Sequence, residues 1–183
     1  MKTLIWKGIY DESLEYFNIK KDDQRYIAES EITGRSKDKI YRVRYNIVID
    51  ENWTVAEFSI ESEINGVKEQ LAGKKQDEEW IINGTLHQEF NGFQYIDISV
   101  TPFTNTLPIN HLKLTENRPQ KINVIYIDVL HHHFKPAVQR YTCLATGTYL
   151  YENVETDFKS EILVDDIGLV ISYPGLFERI AEL

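Results

Sequence analysis

Thr101-Pro102-Phe103-Thr104-Asn105-Thr106-Leu107-Pro108-Ile109-Asn110-His111-Leu112-Lys113-Leu114 is the stretch on which the fold turns. Pro102 and Pro108 each fix φ and remove a backbone donor, so neither suits a central strand. Thr104, Asn105 and Thr106 are side chains that cap helix N-termini, and Pro108 is tolerated in the first turn that follows. The spacing predicts a sharp exit from a strand into one short helix carrying Leu107, Ile109, Leu112 and Leu114.

Around this stretch the chain has the habits of a sheet. Asn65-Gly66, Asn83-Gly84 and Asn91-Gly92 are hairpin signals, because both residues tolerate the positive φ of a type I′ turn. They divide segments 55–64, 67–72, 80–82, 85–90 and 93–100, all too short for helices. Upstream, Tyr41, Val43, Tyr45, Ile47 and Ile49 alternate with polar residues as in a half-buried strand. Trp53 and Val55 set one phase of the next strand and Phe58 and Ile60 the other, which predicts a β-bulge near Ala56-Glu57. Residues 122–130 are apolar on both faces and predict a strand covered on both sides. Segments 139–145, 148–151, 158–164 and 169–173 follow as strands, the last two joined by a turn at Asp165-Asp166-Ile167-Gly168. A sheet of well over ten strands must curl, split or close. The expectation is a mostly β (α+β) chain whose long sheet wraps around its single helix.

Composition narrows the partners. With 183 residues and no linker, repeat or low-complexity tract, residues 1–183 are expected to form a single domain. A net charge of -9 excludes a basic face for nucleic acid. No apolar run is long enough for a membrane helix or a secretory leader. A single cysteine, Cys143, fits a reducing compartment, so a cytoplasmic location is expected.

Longer strings carry a family resemblance. TPFTNTLPINHLKL, Gln139-Arg140-Tyr141, Tyr149-Leu150-Tyr151 and the closing run Val164–Arg179 resemble the family described as putative glycolipid-binding, formerly a domain of unknown function. Trp6, Trp53 and Asp97 also sit where its pattern places them. The resemblance implies a spiral β-roll, a long antiparallel sheet wound around a single central helix. It further implies a homodimer and a likeness to the lipoprotein carriers of the bacterial envelope, from which the glycolipid label comes. One departure stands out: Asn110-His111 occupies positions where relatives carry two arginines. If those arginines grip an anionic headgroup, this chain is suited to a neutral one.

The candidate ligand-binding residues are Thr104, Asn105, Thr106, His111, Tyr141, Tyr149, Tyr151 and Tyr173. The hydroxyl and amide groups of the first three suit a sugar at the mouth of the roll, or else cap the helix. Tyrosine offers a ring for a sugar face or acyl chain and a hydroxyl for a polar group. It also packs well between strands without any ligand. His131-His132-His133 completes no zinc-type spacing and is read as a strand end before a turn at Lys135-Pro136, so no metal or cofactor is expected. Arg179 is a candidate ion-pair partner for Asp97, and Leu176, Phe177 and Ile180 are expected to seal the roll or meet a second subunit. No nucleophile elbow, phosphate loop or metalloprotease helix is present. The sequence therefore points to a non-catalytic binder of a glycolipid-like amphiphile, held in or at the mouth of the roll. A dimeric scaffold without a cavity and a hydrolase of a small lipid or glycoside are the alternatives.

Overall fold

Alternating inner residues and tight turns produce an unbroken run of strands at the start of the chain: β1 (Lys2–Gly8), β2 (Ser13–Asp22), β3 (Arg25–Ser36), β4 (Lys39–Asp50), β5 (Val55–Ile64), β6 (Val67–Gln76), β7 (Glu79–Ile82) and β8 (Thr85–His87). The computed structural model describes residues 1–183. After β9 (Tyr95–Ile98) a 3-10 turn at Phe103–Asn105 leads into α1 (Thr106–Leu112). The second half is β10 (Gln120–Asp128), β11 (His133–Ala145), β12 (Thr148–Asn153), β13 (Lys159–Val164), β14 (Val170–Tyr173) and β15 (Phe177–Glu182). All fifteen strands form one sheet in the order β8 to β1, then β15 down to β9.

Every neighbour pair is antiparallel except β9 and β10, which run parallel. That exception follows from the helix, because a parallel return needs a crossover and Thr101–Pro119 supplies it. The bulge falls where the phase slip put it: Val48 pairs with Glu57 and Ile49 with Val55, leaving Ala56 as the extra residue. Asn65-Gly66 and Asn83-Gly84 turn their hairpins with both residues at positive φ.

Several local readings are corrected. Asn91-Gly92 makes no hairpin, because β8 ends at His87 and a 3-10 turn intervenes; Asn91 keeps φ -55 and ψ 129, with Gly92 at φ 79. Trp53 lies in the loop before β5 rather than in the strand. The histidine run holds the β10–β11 turn itself, with His132 at φ 52. Pro136 is then inside β11, opposite Ile125. A missing N–H is tolerated there because β12 pairs with β11 only from Gln139 onward. Arg179 pairs with Asp165 at 2.8 Å and Glu182 at 2.7 Å, not with Asp97. Finally, residues 177–182 are a strand: β15 joins the two halves of the sheet by pairing with β1 on one side and β14 on the other.

The helical segment fills the roll. Every residue from Thr101 to Ile109 is buried, within a core of 39 buried apolar residues that includes Trp6, Phe17, Phe58, Trp80, Phe103 and Leu107. Phe103 packs on Phe17 at 4.6 Å between ring centroids. β10 is covered on both faces, with Ile122 and Val124 buried on one and Ile125 and Ile127 on the other. The predicted caps are not made, because the 3-10 turn runs straight into α1 and no side chain bonds its N-terminus. α1 stops at Leu112, with Lys113 left-handed at φ 45, so Leu114 lies beyond it.

One buried carboxyl ties this segment to the sheet. Oε1 of Glu15 accepts hydrogen bonds from Ser30 Oγ at 2.8 Å, Tyr45 Oη at 2.7 Å and Thr101 Oγ1 at 2.9 Å. Its Oε2 has no partner. Burial pushes this carboxyl up to about 7, against the pull of its three hydroxyl partners. An unfolded glutamate titrates near ~4.3. Between those values the folded chain binds more protons than the unfolded one, so stability falls as pH rises through the window. The loss amounts to about 4 kcal/mol by the time pH 8 is reached. Glu15→Gln keeps an acceptor for the three hydroxyls and removes this dependence. Urea unfolding at intervals from pH 4 to 8 is expected to show a wild-type decline that the variant lacks; parallel profiles contradict this.

Candidate functional site

At the upper mouth of the roll, where α1 ends, a polar cleft of about 380 Å³ opens between the β4–β5 loop, the β6–β7 turn, the residue before β9 and the end of the helix. Trp53 is its one hydrophobic lining residue. The loop is built by Asp50, whose Oδ1 accepts the backbone N–H groups of Asn52 at 2.9 Å and Thr54 at 2.8 Å. Its Oδ2 accepts the Thr54 hydroxyl at 2.8 Å. This Asx-type turn holds Trp53 at φ 65. A bulky residue in the left-handed region costs on the order of 1–2 kcal/mol. Part of that is recovered where the indole stacks on Tyr26, with centroids 4.5 Å apart and planes 24° from parallel.

The helix contributes the opposite wall. Asn110 Nδ2 donates to the carbonyl of Ile167 at 3.0 Å, which fastens the end of α1 to the β13–β14 turn. Gly168 permits this approach, since a Cβ there would lie 2.7 Å from the Asn110 amide nitrogen. His111 presents its ring edge-on to Tyr95, centroids 5.7 Å apart. Its Nδ1 is buried and has no hydrogen-bond partner. The cleft carries the carboxylates Asp50, Glu51 and Glu78 against the ammonium groups of Lys75 and Lys113. Lys75 and Glu78 pair with each other at 3.7 Å. No arginine lines this cleft, and Asn110 and His111 both do.

Most of the other candidate residues gather elsewhere, in a packed polar layer between the helix and β9–β14. Tyr141 Oη donates to Asn105 Oδ1 at 2.8 Å, and Asn105 Nδ2 donates to the Pro102 carbonyl at 3.1 Å. Asp97 accepts from Gln139 Nε2 at 2.6 Å and from Thr104 Oγ1 at 3.1 Å. Asp97 keeps some exposed surface, yet burial raises its carboxyl above the usual aspartate range despite these bonds. Tyr151 meets Tyr141 and Tyr173 edge-on at 5.4 and 6.1 Å. Burial raises all three phenols, so each stays protonated. Thr106 is fully buried and its hydroxyl has no partner. Tyr149 is half-buried opposite Cys143 on the same face of the sheet. Of the eight candidates only His111 lines the mouth cleft.

Sequence reasoning passed over Lys75, Glu78 and Gln94, which are brought to the cleft by turns far apart in the chain. It also placed Trp53 in a strand. The available signal was the run Asp50-Glu51-Asn52, an aspartate two residues before an asparagine and four before a threonine, which favours an Asx-type turn over strand.

The family profile described as "Putative glycolipid-binding" matches residues 3–179. A crystal structure of a DUF1089 family protein from Pseudomonas aeruginosa is 32% identical in sequence, with a TM-score of 0.82. The alignment covers 91% of this chain and 92% of that one. No curated protein matches. No helix is long and apolar enough to cross a membrane.

The Tyr141–Asn105 bond joins β11 to the helical segment in the interior. Tyr141→Phe leaves the Asn105 carbonyl oxygen without its donor, at a cost of about 1–3 kcal/mol. Urea unfolding is expected to report that loss. An unchanged midpoint would mean the bond is of no consequence to the fold.

Proposed function

This chain belongs to the family described as putative glycolipid-binding, and we propose that it is a non-catalytic protein that binds a glycolipid-like amphiphile by its polar head at the upper mouth of the roll. The observation that carries this is the mouth cleft: a polar recess of about 380 Å³ with Trp53 as its one hydrophobic lining residue, beside His111, whose buried Nδ1 has no hydrogen-bond partner. An uncharged sugar fits that chemistry. A saccharide ring covers an aromatic face with its C–H groups, and its hydroxyls donate to carboxylates and amide oxygens, accept from the lysines, and can serve either role toward the His111 ring. The alkyl part of the ligand rests on Leu112 and Leu114, half-buried just beyond the cleft. The packed interior favours the mouth over the roll's axis as the ligand's place.

Thr104, Asn105, Thr106, Tyr141, Tyr151 and Tyr173 then serve the ligand indirectly, by holding α1 so that Asn110 and His111 face the cleft. Tyr149 lies farther along the same face. We further propose that residues 1–183 act as one domain, that the protein works as a homodimer, and that it is cytoplasmic, the last supported by the lone unpaired Cys143. The same packed interior, with Leu107 and Ile109 buried and Leu112 and Leu114 half-buried, also favours a second reading: a scaffold with no ligand.

Titration with an alkyl glucoside below its micelle concentration, followed by Trp fluorescence and calorimetry, separates the two. Saturable binding is expected, with Trp53→Ala weakening it about tenfold, the scale of one lost aromatic contact. An alkyl sulfate of equal chain length is expected to bind less well. Equal affinity for the sulfate, or an unaffected Trp53→Ala protein, contradicts the site. The absence of any binding selects the scaffold.

A further inference from the structure

At the lower mouth, the end opposite the cleft, a smaller pocket of about 130 Å³ opens beside the β1–β2 turn. Its character differs from that of the cleft. Val100, Leu176 and Phe177 form apolar walls, with Tyr10 at the rim, where its side chain is 71% exposed. An apolar cavity of about 150 Å³ stays dry and takes up benzene, so a pocket of this size suits one six-membered ring.

Asp11, Ser13 and Ser99 complete the lining, and one buried hydroxyl of the site lacks a partner. Tyr41 lines the pocket and is 3% exposed, and its hydroxyl is buried without a hydrogen-bond partner. Ser13 lies beside it without forming a bond of good geometry. Gly34 makes room for this ring, since a Cβ there would come within 2.8 Å of the Tyr41 ring carbon and hydroxyl. Burial pushes the phenol up to about 12 against the opposing pull of the neighbouring Ser13 hydroxyl, so the Tyr41 hydroxyl keeps its proton, and no hydrogen bond of good geometry uses it. A buried donor left unpaired is costly, which makes the site favour an occupant that brings an acceptor. Asp11 is the charged residue of the lining, and no cation accompanies it, which disfavours anions.

We infer that this pocket binds a small, uncharged ring compound bearing one hydroxyl, its oxygen accepting the Tyr41 hydroxyl proton and its ring packed against Val100, Leu176 and Phe177. The site is separate from the mouth cleft and independent of the amphiphile reading. A ligand here is covered by the β1–β2 turn and the turn before β15, and not by α1. It therefore binds with the roll intact.

Phenol and benzene are the probes, titrated into the full chain and followed by calorimetry and by NMR of Val100 and Leu176 methyl groups. Wild type is expected to bind phenol about tenfold tighter than benzene, as one satisfied hydrogen bond allows. Tyr41→Phe is expected to bring the two affinities together while benzene binding persists. Leu176→Trp, a partly exposed position where the larger side chain fills the pocket, is expected to abolish both and to keep the test decisive if Tyr41→Phe fails to fold. Equal binding of phenol and benzene by wild type overturns the proposal. So does a phenol preference that survives Tyr41→Phe, or a crystal soak with phenol that leaves only a water on the Tyr41 hydroxyl.

Discussion

A curled sheet encloses space, and whatever occupies that space must satisfy its own backbone while presenting apolar side chains in every direction. Only helical turns do both at once. The segment Thr101–Ile109 meets this constraint by running from a 3-10 turn directly into α1, so that consecutive backbone groups pair along the segment. Phe103, Leu107 and Ile109 then reach the sheet on several sides. Fifteen strands of one sheet close over nine consecutive buried residues, Thr101 to Ile109.

The polar side chains of the segment explain why it sits in one register. Thr101 is held by Glu15 on β2, Thr104 by Asp97 on β9, and Asn105 by Tyr141 on β11. These bonds are directional where the apolar packing is not, and each fixes the helix to a different part of the sheet. β15 supplies the complementary closure of the sheet itself. Trp6 strengthens that seam by donating its indole N–H to the Val170 carbonyl at 2.7 Å, so strands from opposite ends of the chain are locked side by side.

What the sequence made legible was the local chemistry. The Asn65-Gly66 and Asn83-Gly84 turns, the alternation in β4, the bulge at Ala56 and the helix after Pro102 all follow from backbone preferences within a few residues. What it hid depends on distance. Residues 177–182 lack a clean apolar alternation because β15 derives its support from β1, at the far end of the chain. Thr104, Asn105 and Thr106 have the composition of caps, yet tertiary partners claim two of the three side chains. Trp53 looked like a strand residue until the Asp50 carboxylate was seen to bend the backbone ahead of it. Lys75, Glu78 and Gln94 gave no local signal, because only the curl of the sheet brings them to the cleft.

The two ends of the roll thus differ in kind, the upper one polar and broad and the lower one small and mostly apolar, with a core of buried side chains between them. The central claim is that an amphiphile engages the upper mouth without entering that interior. The most direct test is NMR of the protein carrying labelled methyl groups and tryptophan indoles, with an alkyl glucoside added. The account predicts shifts at the Trp53 indole and the His111 ring, with the Leu107 and Ile109 methyls unmoved. Shifts at Leu107 and Ile109, with cross-relaxation from the alkyl chain, would place the ligand inside the roll and contradict it.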